Sequence, residues 1–286
     1  MDIQHIRADR RHLLDRDAKS RISVIQEDVW IDYQPGETIF RMMNNMVEVP
    51  QRQTAPSLLV IGPGGSGKSA IISQVRHRVV NSKGLLFIDM AEDPNITVKK
   101  SLRVELAKSL QLPFESSART GSKIDVPNEL GEAIKLRKIW GVVIDELQEA
   151  LLRPKQEQRT NMSILKKLVG PVYGLKMFGF GTSSARLALS SNDEFKRRFF
   201  EFSLEDWKES EEFRSFLFEI EELLPLKLPS NLYSEEMTQA IIAISSGRMD
   251  KTIELLRCAA SYAIQRNIER IDIQCLKWAA QNPWGY

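Results

Sequence analysis

Short apolar runs recur through the middle of the chain, and between them apolar residues return every third or fourth position. The runs are Leu58-Leu59-Val60-Ile61, Leu85–Asp89, Trp140–Asp145, Lys176–Phe180 and Phe199–Phe202. Uninterrupted apolar runs of this length predict strands buried on both faces, as in a parallel sheet covered by helices. Val98–Leu110 and Thr160–Val169 carry helical spacing. After Leu204 the strand-like runs stop. Asp206–Leu224, Glu235–Ser245, Met249–Arg266 and Asp272–Gln281 all read as helices, with Ser234 and Asp272 at N-cap positions.

Ahead of the first strand the pattern is different. Arg7, Asp9, Arg10, Arg11, Asp15, Arg16, Asp17 and Lys19 mix signs closely, which predicts a solvated helix or a flexible arm. Glu37–Val47 then places Ile39, Met43, Met46 and Val47 on one helical face, a stripe suited to packing. Pro50 and Pro56 bracket a polar connector into the first strand.

Composition narrows the partners. With 40 Lys and Arg against 38 Asp and Glu, the formal charge is +2, so any contact with nucleic acid has to come from a local patch. No apolar run approaches the roughly 20 residues of a membrane span, and the polar start does not read as a signal peptide. The expectation is a cytoplasmic protein without membrane contact. Cys258 and Cys275 sit in helical patterns with no second pair and no nearby histidine, so they read as buried thiols of a reducing compartment and not as metal ligands.

The chemistry begins where the first apolar run ends. Gly62-Pro63-Gly64-Gly65-Ser66-Gly67-Lys68-Ser69 follows it directly and opens the helical segment from Ala70. Glycines at this spacing let successive backbone N–H groups turn toward a polyphosphate, at a helix N-terminus whose dipole favours an anion. Lys68 is placed to reach the β- and γ-phosphates of ATP, and the Ser69 hydroxyl to hold Mg²⁺. A second element is Val142-Val143-Ile144-Asp145-Glu146, a buried strand ending in two acids. Asp145 is the candidate for the Mg²⁺ shell, and Glu146 for the base that orients the attacking water. The expected fold class is therefore α/β, a P-loop parallel sheet flanked by helices. The chain divides into an N-terminal extension (1–50), a nucleotide-binding domain (51–204) and an all-helical lid (205–286).

A small helical lid after a P-loop sheet resembles the plan of AAA+ ATPases, and that resemblance implies further roles. The first polar side chain after the fourth strand, Thr182, matches the position that senses the γ-phosphate or its water, with Ser183 the alternative. Arg198, or else Arg197, stands just before the fifth strand, where an arginine points into a neighbouring subunit's nucleotide. Arg248, ahead of a long helix, fits the lid arginine that meets the phosphates.

Several features together resemble the TniB family: Asp32-Tyr33 with Pro35, Val49-Pro50 before the P-loop, Gly181-Thr182, Arg198-Phe199 and Gly247-Arg248-Met249-Asp250. The loop Gly62-Pro63-Gly64-Gly65 is closer to AAA+ proteins in general than to many TniB loops. The resemblance implies a TnsC-like regulator of DNA transposition that binds ATP and assembles head-to-tail on double-stranded DNA as a ring or helical filament. It would mark the target and connect a TniQ-like adaptor to a DDE-type transposase, with hydrolysis taking the assembly apart. In that family the DNA-facing surface corresponds here to Lys99 and Lys100, at the start of the helix after the second strand, and to Arg119, Thr120 and Lys123 in the following loop. Contacts there would go to phosphate and not to base. The same motifs also suit an AAA+ loader or remodeller whose client is a protein, such as a helicase or a secretion component.

Overall fold

Parallel neighbours cannot be joined by tight turns, so each strand must be followed by a crossover long enough to hold a helix. The computed structural model, which describes residues 4–92, 95, 99–112, 128–190 and 197–286, follows that rule. Helices α1 (Ala18–Ile25) and α2 (Gln34–Val47) precede β1 (Ser57–Ile61) and α3 (Lys68–Arg78). Then come β2 (Leu85–Asp89), α4 (Leu102–Ser109), α5 (Asn128–Leu136), β3 (Gly141–Asp145), α6 (Leu147–Leu151) and α7 (Lys155–Val169). They are followed by β4 (Lys176–Gly181), α8 (Ser183–Ser190) and β5 (Phe199–Ser203). The last described elements are α9 (Glu211–Leu223), α10 (Glu235–Ser245), α11 (Met249–Gln265) and α12 (Ile273–Gln281).

The five strands form one parallel sheet in the order β2-β3-β4-β1-β5. Leu59, Ile61, Leu86, Ile88, Val142, Ile144 and Met177 share a core with Leu102 and Leu106 of α4, Leu147 and Leu151 of α6, and Leu165 and Leu168 of α7. The alternate positions Leu58, Val60, Val143, Phe178 and Phe180 point to the opposite face and are buried as completely. Burial on both faces is why these runs have no polar alternation. β5 is the exception: among the described residues it pairs with β1 alone, and Phe200 and Glu201 are exposed. Because all strands run the same way, their C-terminal ends share one edge. There Ile61 lies opposite Gly181, and Asp89 opposite Asp145.

The chain groups into two units. One comprises Met1–Glu37, Gly65–Gly67 and Glu205–Tyr286; the other comprises Thr38–Gly64 and Lys68–Leu204 and holds the sheet. In the first unit the N-terminal segment is helical and packs on the C-terminal helices, so of the solvated helix and the flexible arm it is the helix that forms, with one face turned inward. Ile6, Leu13, Arg21 and Ile25 turn inward while the mixed charges between them stay outside. The Arg7 N–H donates to the Glu222 carbonyl at 3.0 Å, and α1 lies against α11.

Helix starts also differ from the periodicity. α4 begins at Leu102 behind Ser101, so Lys99 and Lys100 precede the helix instead of opening it. α9 begins at Glu211, because the Ser210 hydroxyl accepts the Phe213 N–H at 3.2 Å and leaves 206–209 outside. Asp272 caps α12 as expected, accepting from the Cys275 N–H at 2.8 Å, whereas Ser234 occupies its N-cap position without a side-chain bond. Cys258 and Cys275 are free and buried, and burial pushes both thiols up, Cys275 to about 11. Among the described residues no helix is long and apolar enough to cross a membrane.

Candidate nucleotide site

The glycine loop leaves β1 at the shared C-terminal edge, where the Gly62 N–H donates to the Gly181 carbonyl at 3.1 Å. Gly65 and Gly67 have φ of +78° and +86°, a region where other residues are strained. Lys68 opens α3 and is buried, and its ammonium donates to the carbonyls of Gly62 at 2.9 Å and Pro63 at 2.8 Å. Burial lowers its pKa, opposed by the charges of Glu146 and Asp145. An anion seated in the loop would therefore meet a cation already desolvated and facing the same cluster of acids.

That cluster forms where β2 and β3 end side by side. The Ser69 hydroxyl donates to Asp145 Oδ2 at 3.3 Å. Asp145 Oδ1 accepts the Glu146 N–H at 2.9 Å, which turns the carboxylate toward the loop. Burial first, then the charges of Glu146 and Asp89, raises the Asp145 carboxyl, although the Glu146 N–H and the Ser69 hydroxyl favour its ionised form. A hydroxyl and a carboxylate oxygen facing each other beside an anion cradle fit Mg²⁺, which takes one or two carboxylates plus phosphate oxygens. Glu146 lies in the left-handed region, at φ 50°, and begins the turn into α6.

Gln148 is a member of this site that motif reading missed. It is buried; its Nε2 donates to Glu146 Oε2 and its Oε1 accepts the Thr182 N–H at 3.1 Å. Thr182, half-buried, thus sits at the end of β4 within one side chain of Glu146. Arg197 is exposed and Arg198 half-buried, both just ahead of β5. Lys100 is not an uncommitted surface cation: its Nζ lies 3.2 Å from Asp89 Oδ2 and also donates to the Asp89 carbonyl. Lys99 is 4.0 Å from Glu92. Arg119, Thr120 and Lys123 lie outside the described residues.

In the other unit, Arg248 stands at the N-cap position of α11 and grips Asp250 through Nε–Oδ1 at 3.1 Å and Nη2–Oδ2 at 2.7 Å. The Asp250 N–H donates to the Gly65 carbonyl at 3.1 Å. Tyr33, buried among Trp30, Trp207 and Phe216, carries a hydroxyl with no hydrogen-bond partner among the described residues. A Cβ added to Gly67 would lie 3.5 Å from it, so this phenol also neighbours the loop.

Comparison with known proteins agrees with the geometry. The family model described as bacterial TniB protein matches residues 21–209. No curated protein matches the sequence. Among solved structures, the ORC2 protein of Aeropyrum pernix, in ADPNP–ADP complexes, aligns with TM-score 0.64 at 15% identity, over 91% of this chain and 71% of that one. The Walker-type ATPase PABY2304 of Pyrococcus abyssi aligns with TM-score 0.57 at 14% identity, over 90% and 75%. Drosophila ORC bound to DNA aligns with TM-score 0.51 at 12% identity, over 92% and 65%. These likenesses establish the AAA+ P-loop fold.

Proposed function

The chain belongs to the TniB family and is an AAA+ ATPase, and from that premise we propose that it is a DNA-associated switch in transposition. In this reading ATP-bound protomers assemble head-to-tail on duplex DNA, mark a target and connect a TniQ-like adaptor to a DDE-type transposase. Hydrolysis then releases the assembly. The supporting observation is the gathering of Lys68, Ser69, Asp145 and Glu146 at one sheet edge.

Each residue has a defined task. Backbone N–H groups of Gly62–Ser69, with Pro63 and Ala70 shaping the turn, hold the polyphosphate, and Lys68 leaves its loop carbonyls for the β- and γ-oxygens. Ser69 and Asp145 would hold Mg²⁺, which supplies charge neutralisation when bound. Glu146 orients the attacking water and accepts its proton. Thr182, or Ser183, contacts the γ-phosphate or that water, and Arg248 couples the phosphates to the lid helices. Arg198 acts on the neighbouring protomer's nucleotide, a contribution of about 10³–10⁵ in rate for fingers supplied in trans.

Membership of the family, and the likeness to an ORC structure determined on DNA, support the DNA reading. Lys99, Lys100, Arg119, Thr120 and Lys123 are the proposed phosphate contacts. The ion pairs of Lys99 and Lys100 favour a second reading, a loader or remodeller of a protein client, because local charge is partly compensated. Turnover with and without plain duplex separates the two. Stimulation independent of sequence, with a duplex-binding constant that falls with salt at about 0.9 per phosphate neutralised on a log–log plot, is expected for the DNA switch. Turnover indifferent to duplex would support a protein client.

A further inference from the structure

Gln148 has no role in the nucleotide motifs, yet it is a buried polar side chain beside Glu146, and both ends of its amide are engaged. We propose that Gln148 is the positioning residue of Glu146, a strut that fixes the carboxylate by bracing it against the turn after β4. The proposal rests on Glu146 being the water-orienting base.

The direction of the amide is fixed by its partners. The Thr182 backbone N–H is only a donor, so the oxygen of Gln148 must face it and the NH₂ must face Glu146. Residues two apart on a regular helix do not face each other. They meet here because Glu146 lies outside the helix, with φ 50° and ψ 46°, and its side chain folds back over the first turn of α6. Space for the strut comes from Gly181, where a Cβ would lie 2.5 Å from Gln148 Oε1.

With Oε2 held by a fixed donor, the carboxylate loses the freedom of a long side chain and keeps Oε1 for the water. A misplacement of about 1 Å in such a group costs roughly a hundredfold in rate. The strut also ties Glu146 to the residue proposed to sense the γ-phosphate, so both groups around the attacking water share one support.

The test uses the full chain. Gln148→Met keeps length and volume while removing both hydrogen-bonding ends. We expect kcat to fall about 10- to 100-fold, with the directly titrated Kd for ATP changed less than about twofold. In the nucleotide-free protein, exchange of the Thr182 amide should quicken as it loses its acceptor. In a Glu146→Gln background the substitution should add nothing, since the group it positions is already disabled. Gly181→Ala, which displaces the amide while leaving both residues in place, should reproduce the loss of kcat. Turnover of Gln148→Met within about twofold of wild type, or an equal loss in both backgrounds, overturns the proposal. If Gln148→Met does not fold, Gly181→Ala decides: full turnover there overturns it. Full turnover in Glu146→Gln alone would instead overturn the assignment of the base.

Discussion

Lys68 shows how a single side chain can be prepared before its ligand arrives. Its ammonium is desolvated and held by two carbonyls of its own loop, interactions that a phosphate oxygen can replace with a charged partner. Lys68→Ala should therefore abolish nucleotide binding, measured by titration with a fluorescent ATP analogue. Glu146→Gln should bind ATP normally, lose turnover by about 10²–10⁴ and persist on duplex DNA; rapid dissociation would count against hydrolysis as the release step. The P-loop and the two acids were legible in the sequence, because phosphate binding demands glycines, a lysine and a hydroxyl at fixed spacing. Gln148 was not, because one of its partners is 34 residues away and only the sheet brings them together. The pairing of Arg248 with Asp250 was hidden for another reason: two charges one residue apart in a sequence do not reveal whether they hold each other or a ligand.

At the scale of elements, α1 is fastened to two connections, that between α9 and α10 and that between α11 and α12. Arg21, itself buried, donates through Nε and Nη2 to the Pro225 carbonyl and through Nη1 and Nη2 to the half-buried Glu269, at distances of 2.5–3.0 Å. Arg21→Ala would take its donor from the Pro225 carbonyl and leave Lys227 as the remaining partner of Glu269, and should lower the unfolding free energy by about 1–3 kcal/mol, read by denaturant titration at neutral pH. Burial opposes ionisation of Glu269, but the hydrogen bonds and charge of Arg21 prevail and hold its pKa below the usual value. The unfolded chain therefore binds this proton more readily than the folded one. The contribution is complete above the ordinary glutamate range and is lost as pH falls through the depressed value. In Arg21→Met this acid-side step should shrink. The strands were legible because burial on both faces leaves uniform apolar runs. Helix starts were less so, since capping by Ser210 satisfies backbone N–H groups that side-chain periodicity does not report. The inward turn of Ile6, Leu13 and Ile25 was masked by the charges between them.

For the whole molecule, the net charge of +2 gives no overall attraction to DNA, so the proposed function depends on local contacts repeated along an assembly. Head-to-tail contacts repeat without closing on themselves in pairs, and so generate rings or helices. Supplying Arg198 to a neighbour's nucleotide would make turnover depend on that contact. Sedimentation velocity of the full chain with Mg²⁺, a non-hydrolysable ATP analogue and a plain duplex, paired with turnover per protomer across a concentration series, examines this dependence. The account predicts large nucleotide-dependent species on the duplex and a specific rate that climbs with protein concentration. A protein that stays monomeric under these conditions, with a specific rate independent of concentration, would contradict it.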